Sequence, residues 1–377
     1  MVLVCLMVML SLLGCTQEKE PQTSEPDPVP EEETPSQEDE ETLAPGEEEE
    51  TIVEEEEKEK IIATNLSIPW SIEYDGMDFY ISQRVGTIAK ITPDGIVEEQ
   101  KVVFNERLSD AAEAGFLGFL LHPEKKDTAL AYYTYENSRG QYNRIVELEW
   151  DGKQWNETKV LLDRIPSGYV HHGGRMKIGP DGKLYVTTGD AYQPNIAQNL
   201  NSLGGKILRM NLDGSIPEDN PFEGSYVFSY GHRNPQGLVW DENGSLFSSE
   251  HGQTAHDEIN RIEAAANYGW PHIQGDEEAP GMKKPLAHSG DNTWAPSGMA
   301  YWKGLLYVAQ LRGQGIMAVN PETGETKQVI TGYGRIRDVY VIGDYIYFVT
   351  NNTDGRGDPT PEDDRFVRIK LEEVHTF

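Results

Sequence analysis

Three short segments of the chain carry side chains that could accept a proton, hold an anion and bind a metal ion. They are His171-His172-Gly173-Gly174-Arg175, Gly231-His232-Arg233-Asn234-Pro235-Gln236-Gly237-Leu238 and Ser249-Glu250-His251-Gly252. Histidine titrates near neutral pH and is a natural proton acceptor. Arginine is a fixed cation, and the glycines expose backbone carbonyls. We therefore expect the function of this chain to lie in these loops.

Two strand-like patterns recur six times from Ile61 onward and must position these loops. The first is a turn followed by an apolar and aromatic run, such as Asp181-Gly182 before Leu184-Tyr185-Val186. The second alternates in polarity, such as Lys206-Ile207-Leu208-Arg209-Met210, and a further apolar strand precedes each pair. The repeat length is about 40 to 60 residues, and no helical periodicity is sustained.

These repeats predict an all-β fold, a six-bladed β-propeller of four-stranded antiparallel blades over residues 61–377. The segment from Ile61 to Leu66 is expected to complete the sheet of the last blade. A stacked solenoid is the alternative, although solenoid repeats are usually shorter and more uniform.

The unusual polar residues fall at two kinds of position in this predicted fold. The innermost strands of a propeller surround the axis, so residues at their starts converge on one mouth, and the loops joining the two patterned strands cover the same face. The pattern therefore predicts a functional site at one end of the axis. Glu113, His171, Arg233, Asn234, Ser297, Arg335 and Arg337 precede inner strands, while Asp190, the 251–258 segment and Arg312 lie in covering loops.

Six motifs, in this order, resemble the soluble aldose sugar dehydrogenases that use pyrroloquinoline quinone (PQQ), relatives of soluble quinoprotein glucose dehydrogenase. The resemblance covers nearly all of residues 61–370. It implies oxidation of the anomeric carbon of aldoses to lactones by hydride transfer to PQQ, with calcium as a second cofactor. The motifs are His171-x-Gly-Gly-Arg175, Tyr230 to Gly237, Glu250-His251-Gly252 with Asp257-Glu258, Asn267 to Pro271, Ala295 to Gly298, and Arg335-x-Arg337-Asp338-Val339.

The resemblance also implies roles for individual residues. His171 is the implied base for the anomeric hydroxyl, with Asp190 orienting it and Arg233 stabilising charge on the reduced quinone. His172 is the neighbouring histidine that could be mistaken for the base. PQQ is a flat tricarboxylate, so its pocket needs fixed cations. The implied cofactor-binding residues are Glu113, Arg233, Asn234, Ser297, Arg312, Arg335 and Arg337.

Calcium is implied at two places. The backbone carbonyls of Gly252 and Gln253 would bind an ion that also contacts the cofactor, and Asp257 could act through water. Glu258 and the carbonyl of Tyr268 resemble part of a second, structural calcium site, with a solvated Glu258 as the alternative.

Three positions depart from the glucose enzyme. Glu113 replaces a glutamine that contacts the cofactor, which adds negative charge beside an anion. Gln253 replaces a proline, which keeps the carbonyl but loosens the loop, and Arg312 replaces a lysine. The first departure bears most on the affinity for PQQ.

The N-terminal region predicts export. The apolar run from Met1 to Leu13 is too short to span a membrane and fits the core of a secretory signal. Leu12-Leu13-Gly14-Cys15 resembles a bacterial lipoprotein signal, which would place residues 1–15 in the signal segment and a lipid on Cys15; an ordinary signal peptide is the alternative. Cys5 and Cys15 are the only cysteines. We therefore expect a domain without disulfides, lipid-anchored in the cell envelope.

The charge distribution predicts a tether and limits the partners. Residues 16–60 hold 20 acidic residues against three lysines, which is typical of a disordered, self-repelling segment. Residues 61–377 hold 44 acidic against 29 basic residues. This balance argues against nucleic acid as a partner, because binding phosphates requires a basic surface. The expected partners are an aldose substrate, an electron acceptor that the sequence does not identify, and the membrane through the lipid anchor only.

Two other functions fit the predicted fold. One is a non-catalytic extracellular binding module. The other is a calcium-dependent lactonase, which would use an axial metal without a quinone. The predicted base, arginines and calcium loop favour the dehydrogenase over the module. The arginine-rich mouth disfavours the lactonase, whose metal is usually surrounded by carboxylates.

Overall fold

The computed structural model describes residues 59–374. The predicted signal segment, the lipidated Cys15 and almost all of the acidic tether lie outside these residues. Within them, no helix is long and apolar enough to cross a membrane.

The described residues form β-strands with two short 3-10 helices, Pro194–Gln198 and Leu371–Glu373. The strands are β1 Glu59–Ala63, β2 Pro69–Tyr74, β3 Phe79–Gln83, β4 Thr87–Ile91, β5 Val97–Val103, β6 Phe116–Leu121, β7 Thr128–Asn137, β8 Gly140–Trp150, β9 Gln154–Pro166, β10 Met176–Ile178, β11 Leu184–Thr188, β12 Lys206–Met210, β13 Val227–Tyr230, β14 Pro235–Trp240, β15 Leu246–Glu250, β16 Glu258–Ile262, β17 Ala287–His288, β18 Pro296–Trp302, β19 Leu305–Gln310, β20 Gly315–Val319, β21 Thr326–Thr331, β22 Ile336–Ile342, β23 Tyr345–Thr350 and β24 Phe366–Lys370.

Strand β11 shows how the local sequence builds these elements. Gly182 adopts a φ of 72° in the preceding turn, and its N–H bonds to the carbonyl of Gly179 at 2.9 Å. The strand itself contains leucine, tyrosine, valine and two threonines, which favour extended backbone, and all five side chains are buried. Gly189 then passes so close to His171 that a Cβ would lie 2.0 Å from the His171 carbonyl oxygen. A glycine is therefore required where the predicted base meets Asp190.

The strands form four sheets of four strands and one sheet of eight. Neighbouring strands are antiparallel, except that β5 and β9 pair in parallel through Lys101–Val103 and Gln154–Asn156. This pairing joins β2–β5 and β6–β9 into the eight-stranded sheet. The all-β prediction is confirmed, and four sheets have the predicted four strands, while the count of six blades stays a prediction.

Both ends of the described chain meet in one sheet, whose order is β1-β24-β23-β22. Lys60 pairs with Arg368, and Ile61 pairs with Val367. The segment expected at Ile61 to Leu66 therefore does complete the last sheet, although the strand itself begins two residues earlier, at Glu59.

Six strands contact one another in a closed sequence, β2, β6, β10, β14, β18, β22 and β2 again. We call them the first strands, because each occupies one end of a run of four paired strands. A buried ion pair lies among them. Arg175 donates from Nη1 to Oδ2 of Asp338 at 2.8 Å and stacks 4.3 Å from the Trp70 ring. Asp338 in turn accepts the backbone N–H of Ile72 at 2.9 Å. These contacts tie three first-strand regions together below the predicted site.

Candidate active site at the mouth of the strand ring

The loops that precede the first strands bring the predicted polar residues to one end of the ring, which we call the mouth. Glu113 accepts a hydrogen bond from the backbone of His171, and Asn234 accepts one from Gly173. Arg337 donates to Gln236 at 2.7 Å and reaches the hydroxyl of Ser297 at 3.4 Å. Glu113 thus contacts the segment of His171, Asn234 contacts the same segment, and Arg337 joins the starts of β14 and β18.

His171 and Asp190 form the arrangement of a positioned base. Nδ1 of His171 lies 2.7 Å from Oδ1 of Asp190, which is fully buried. The other oxygen of Asp190 accepts the indole N–H of Trp270 at 2.9 Å. A carboxylate on Nδ1 assigns the proton to that nitrogen and leaves Nε2 as the acceptor. Nε2 makes no hydrogen bond within the described part of the chain, so it is free to take a proton.

His172 is bonded through both ring nitrogens. Nε2 lies 3.1 Å from the carbonyl oxygen of Ala112, and Nδ1 lies 3.1 Å from the hydroxyl of Ser167. Burial lowers the pKa of His172 to about 4, so the ring is neutral at physiological pH. His172 is therefore a structural histidine, and His171 is the available base.

Arg233 and Asn234 carry donors that the protein does not use. Arg233 donates from Nη1 to the carbonyl of His251 at 3.2 Å and lies 5.4 Å from the Trp270 ring. Among residues 59–374, its buried Nε and the buried Nδ2 of Asn234 have no hydrogen-bond partner. Leaving a buried donor unmade costs about 1 to 3 kcal/mol, so these two atoms fit a bound group that supplies acceptor oxygens.

Arg337 is a buried cation held by neutral groups. Its Nε and Nη2 both donate to Oδ1 of Asn351, at 3.0 and 2.8 Å, and within the described residues it has no carboxylate partner. Burial lowers the pKa of Arg337 to about 9 because its charge is poorly solvated. An anionic ligand would relieve that cost.

The other two predicted cofactor arginines differ from Arg337. Arg335 is buried but pairs with Asp354 at 2.7 Å, so its charge is already balanced. Arg312 is exposed, and its side chain makes no hydrogen bond or ion pair with the residues described. The structure therefore places Arg312 at the periphery of the predicted set.

Glu113 is paired with a residue that the sequence analysis did not select. Oε1 accepts a hydrogen bond from Nη1 of Arg356 at 2.6 Å, and Oε2 accepts the His171 N–H at 3.2 Å. Burial alone would raise the pKa of Glu113, but the hydrogen bond and charge of Arg356 outweigh burial and hold it at about 2. Glu113 is therefore ionised.

The predicted calcium loop is fixed by Asp257. Oδ1 accepts the Gly252 N–H at 2.8 Å, and Oδ2 accepts the hydroxyl of Thr293 and the N–H groups of Trp294 and Ala295. Both carboxylate oxygens are thus engaged in ordering loops. Gln253 is exposed beside them.

Glu258 lines a small, partly open cavity of about 10 Å³, enough for one water-sized ion. The cavity is also lined by Glu250, Tyr268 and Gly252. Burial, followed by the nearby charge of Glu250, raises the pKa of Glu258 to about 8. Glu258 is only 8% exposed, so the solvated alternative is wrong.

Tyr268 is also buried, and its hydroxyl donates to the carbonyl of Arg261 at 2.6 Å. Within residues 59–374, no three His, Cys, Asp or Glu side chains converge as a metal cage. A calcium ion would therefore also need backbone oxygens.

Known proteins resemble this chain over most of its described residues. The model of the glucose/sorbosone dehydrogenase family matches residues 66–358. The chain belongs to the glucose/sorbosone dehydrogenase family. The resemblance stated from the motifs is confirmed, as is the prediction of an enzyme of this dehydrogenase class.

The chain is similar to proteins named as sugar dehydrogenases. The PQQ-bound aldose sugar dehydrogenase of Streptomyces coelicolor is 38% identical, with a TM-score of 0.78 over 82% of this chain and 96% of that one. Quinoprotein glucose dehydrogenase B of Acinetobacter calcoaceticus is 34% identical over 59% of this chain, which spans about half (54%) of that protein. Aldose sugar dehydrogenase YliI of Escherichia coli is 33% identical over 64% of this chain and 76% of its own length.

Sequence reasoning about this dehydrogenase missed two residues of the site. Trp270 was included in a motif but given no role, although its indole fixes Asp190 across 80 positions of sequence. Arg356 lies in the loop between β23 and β24, which corresponds to the covering loops that hold Asp190 and Arg312. Its position in that kind of loop was the signal that could have identified it.

Proposed function

We propose that this chain binds PQQ at the mouth and oxidises the anomeric carbon of aldoses to lactones. The observation that carries the proposal is that a free base nitrogen on His171 lies in the same site as unused polar groups. Arg233 and Asn234 have buried donors without partners, and Arg337 is a cation without a carboxylate partner among the described residues. A base alone would fit many enzymes. Buried donors without acceptors, beside that base, fit a cofactor with several anionic oxygens.

The residues divide into two groups by what they would hold. Arg337 and Arg335, with Arg312 at the periphery, would bind the carboxylates of PQQ, and the hydroxyl of Ser297 would add a hydrogen bond. Arg233 and Asn234 would direct their unused N–H groups at the quinone oxygen. When bound, PQQ supplies an electrophilic carbonyl that accepts a hydride.

His171 would act on the sugar. Nε2 takes the proton of the anomeric hydroxyl, and Asp190 stabilises the imidazolium that results. Trp270 holds the second oxygen of Asp190, so the carboxylate cannot rotate away from Nδ1. The buried donor of Arg233 stabilises negative charge that develops next to the base.

Calcium belongs to this proposal at two places. The carbonyls of Gly252 and Gln253 would bind an ion next to the cofactor, in a loop that Asp257 orders. Glu258, with the carbonyl of Tyr268, would contribute to a second, structural site at the small cavity that it lines. The cavity between Glu258 and Glu250 supports the second site, because a divalent cation offsets the repulsion between two buried carboxylates.

We also propose a count of blades and a cellular location. The eight-stranded sheet counts as two blades joined at their edges, which gives six blades with the four smaller sheets. The chain is exported and lipid-anchored through Cys15 in the cell envelope, and it passes electrons from the sugar to an acceptor still to be identified. The signal and tether that support this location lie outside the described residues.

Sugar-dependent reduction of an artificial electron-accepting dye tests the activity. The purified chain is assayed with a panel of aldoses, PQQ and Ca²⁺, each omitted in turn. We expect dye reduction that requires all three, with lactone as the product. Lactone hydrolysis without PQQ would instead identify a lactonase. If neither dye reduction nor lactone hydrolysis occurs under any of these conditions, a binding module would be favoured.

A further inference from the structure

An ion pair at the mouth links the first and last parts of the described chain. Nη1 of Arg356 and Oε1 of Glu113 lie 2.6 Å apart, and the residues are separated by 243 positions of sequence. The Glu113 side chain is 19% exposed and that of Arg356 is 48% exposed. The pair therefore lies at the boundary between the buried site and solvent, where it is only partly screened.

Glu113 is held so that its charge cannot turn away from the site. Its backbone adopts a φ of 64°, a conformation that few residues other than glycine adopt. Two residues later, a Cβ on Gly115 would lie 2.4 Å from the carbonyl oxygen of Arg84, so this loop passes tightly against its neighbour. The second carboxylate oxygen accepts the backbone N–H of His171. The loop thus fixes a negative charge next to the base.

The surrounding charges show why a partner for Glu113 matters. Arg335 is already paired with Asp354, and Arg337 is bonded to neutral groups. Arg84 lies close enough to interact with the charge of Glu113, but its Nε donates to the carbonyl of Ala114 at 3.0 Å and it forms no ion pair with Glu113 among the described residues. Without Arg356, the mouth would combine a fixed carboxylate with a cofactor that carries three more. Like charges at such a site disfavour binding. With Arg356 in place, the pair adds no net charge.

We propose that Arg356 is the counter-charge that allows this mouth to keep Glu113 and still bind a tricarboxylate cofactor, while Glu113 positions the base through the backbone of His171. This inference rests on the proposed binding of PQQ. Arg356 and Glu113 are positioning residues in this account.

The charge balance between Glu113 and Arg356 predicts that substituting both residues restores the affinity for PQQ that substituting Arg356 alone reduces. Arg356→Gln leaves Glu113 unpaired, so PQQ should bind at least about tenfold more weakly. Glu113→Gln leaves Arg356 unpaired and should tighten binding. The double variant restores a net charge of zero at the pair, so its affinity should return to within about threefold of the wild-type value. The weakening in Arg356→Gln should shrink at high salt, because salt screens partly exposed charges.

The affinity for PQQ is measured by titrating the full chain with PQQ in a calorimeter, in the absence of sugar. Lys303→Gln is the matched control, because it removes one positive charge from an exposed ion pair with Asp344 (3.1 Å) at the far end of β18 from Ser297. That control should bind PQQ like the wild type. Arg356→Lys keeps the charge and should also retain most of the affinity. Thermal melts verify that each variant is folded.

The role of Glu113 in positioning His171 is tested separately, by kcat. Glu113→Gln keeps an oxygen that can accept the His171 N–H, whereas Glu113→Ala does not. At saturating PQQ, kcat should fall in Glu113→Ala and stay near the wild-type value in Glu113→Gln, with little change in KM for the sugar in either. Equal kcat values in the two variants would overturn the positioning role.

The outcomes separate this inference from the proposed function. If the wild-type chain binds no PQQ, the proposed function is wrong and this inference falls with it. If the wild type binds PQQ but Arg356→Gln binds it equally well, or if the double variant is no better than Arg356→Gln, the proposed function stands and the counter-charge role is wrong.

Discussion

Arg175 and Arg337 are both buried arginines close to the ring of first strands, but only Arg175 has a carboxylate partner among the described residues. Arg175 pairs with Asp338 at 2.8 Å and lies against Trp70, although its Nη2 has no hydrogen-bond partner within residues 59–374. Arg337 contacts amide and hydroxyl oxygens and has no carboxylate partner among the described residues. One charge is neutralised by a carboxylate of the protein, and the other has no such partner among the described residues, so it is available to the anionic cofactor that we propose.

The two adjacent histidines repeat this contrast. His172 uses both ring nitrogens in bonds to protein atoms, whereas His171 uses only Nδ1. An uncompensated buried group lowers the stability of the folded state, so a protein that keeps one has a use for it. Within these two pairs, Arg337 lacks a balancing carboxylate and Nε2 of His171 lacks a partner among the described residues, and these differences, more than burial, distinguish them from Arg175 and His172.

Removing the compensated arginine should have the largest effect. Arg175→Met leaves Asp338 buried and unpaired, which should lower the free energy of unfolding by about 3 to 5 kcal/mol. Chemical denaturation of the purified chain measures this loss. A melting midpoint close to that of the wild type would show that the Arg175 ion pair is not the structural element that we describe.

Substitutions of the two adjacent histidines should have different effects on the rate of the chemical step. His171→Gln should lower kcat by about 10²-fold or more while PQQ still binds, because only proton removal is lost. Asp190→Asn should give an intermediate loss by misorienting the imidazole, and His172→Gln should affect chemistry much less. Stopped-flow absorbance of the sugar-dependent reduction of bound PQQ separates the chemical step from cofactor loss. A wild-type rate in His171→Gln would mean that another group is the base.

Calcium and pH should act together at Glu258. Burial raises the pKa of Glu258 from 4.5 to about 8, so the folded chain retains a proton that the unfolded chain has released. In chelator, thermal stability should therefore decrease as the pH rises from about 5 to 8. Calcium favours the ionised carboxylate, so the melting temperature gained with Ca²⁺ should be larger at pH 8 than at pH 5. The same gain at both values, or none, would contradict a cation at this cavity.

The strands were predictable because the turns and the alternating runs are local features of the sequence. The turn at Asp181-Gly182 followed by β11 is one case. The parallel pairing of β5 with β9 was not predictable, because it joins the edges of two four-stranded units and no local pattern in either strand indicates its partner.

The same limit applies to the site. His171 was recognisable from its motif, and Asp190 from the family resemblance and its covering loop; the structure brings them to 2.7 Å. The counter-charge on Arg356 and the indole of Trp270 act across long stretches of chain, so no local pattern shows what they contact. Arg312 carried the expected charge type, but only the fold reveals that it is exposed.

Titration of the wild type and of Arg337→Met with PQQ tests the central claim most directly, since it asks whether the uncompensated cation is kept for the cofactor. We predict that Arg337→Met binds PQQ at least about tenfold more weakly. Its melting temperature without PQQ should change little, because removing an uncompensated buried charge offsets the loss of the hydrogen bonds to Asn351 and Gln236. Equal affinity for PQQ, or a large loss of stability without the cofactor, would contradict the account.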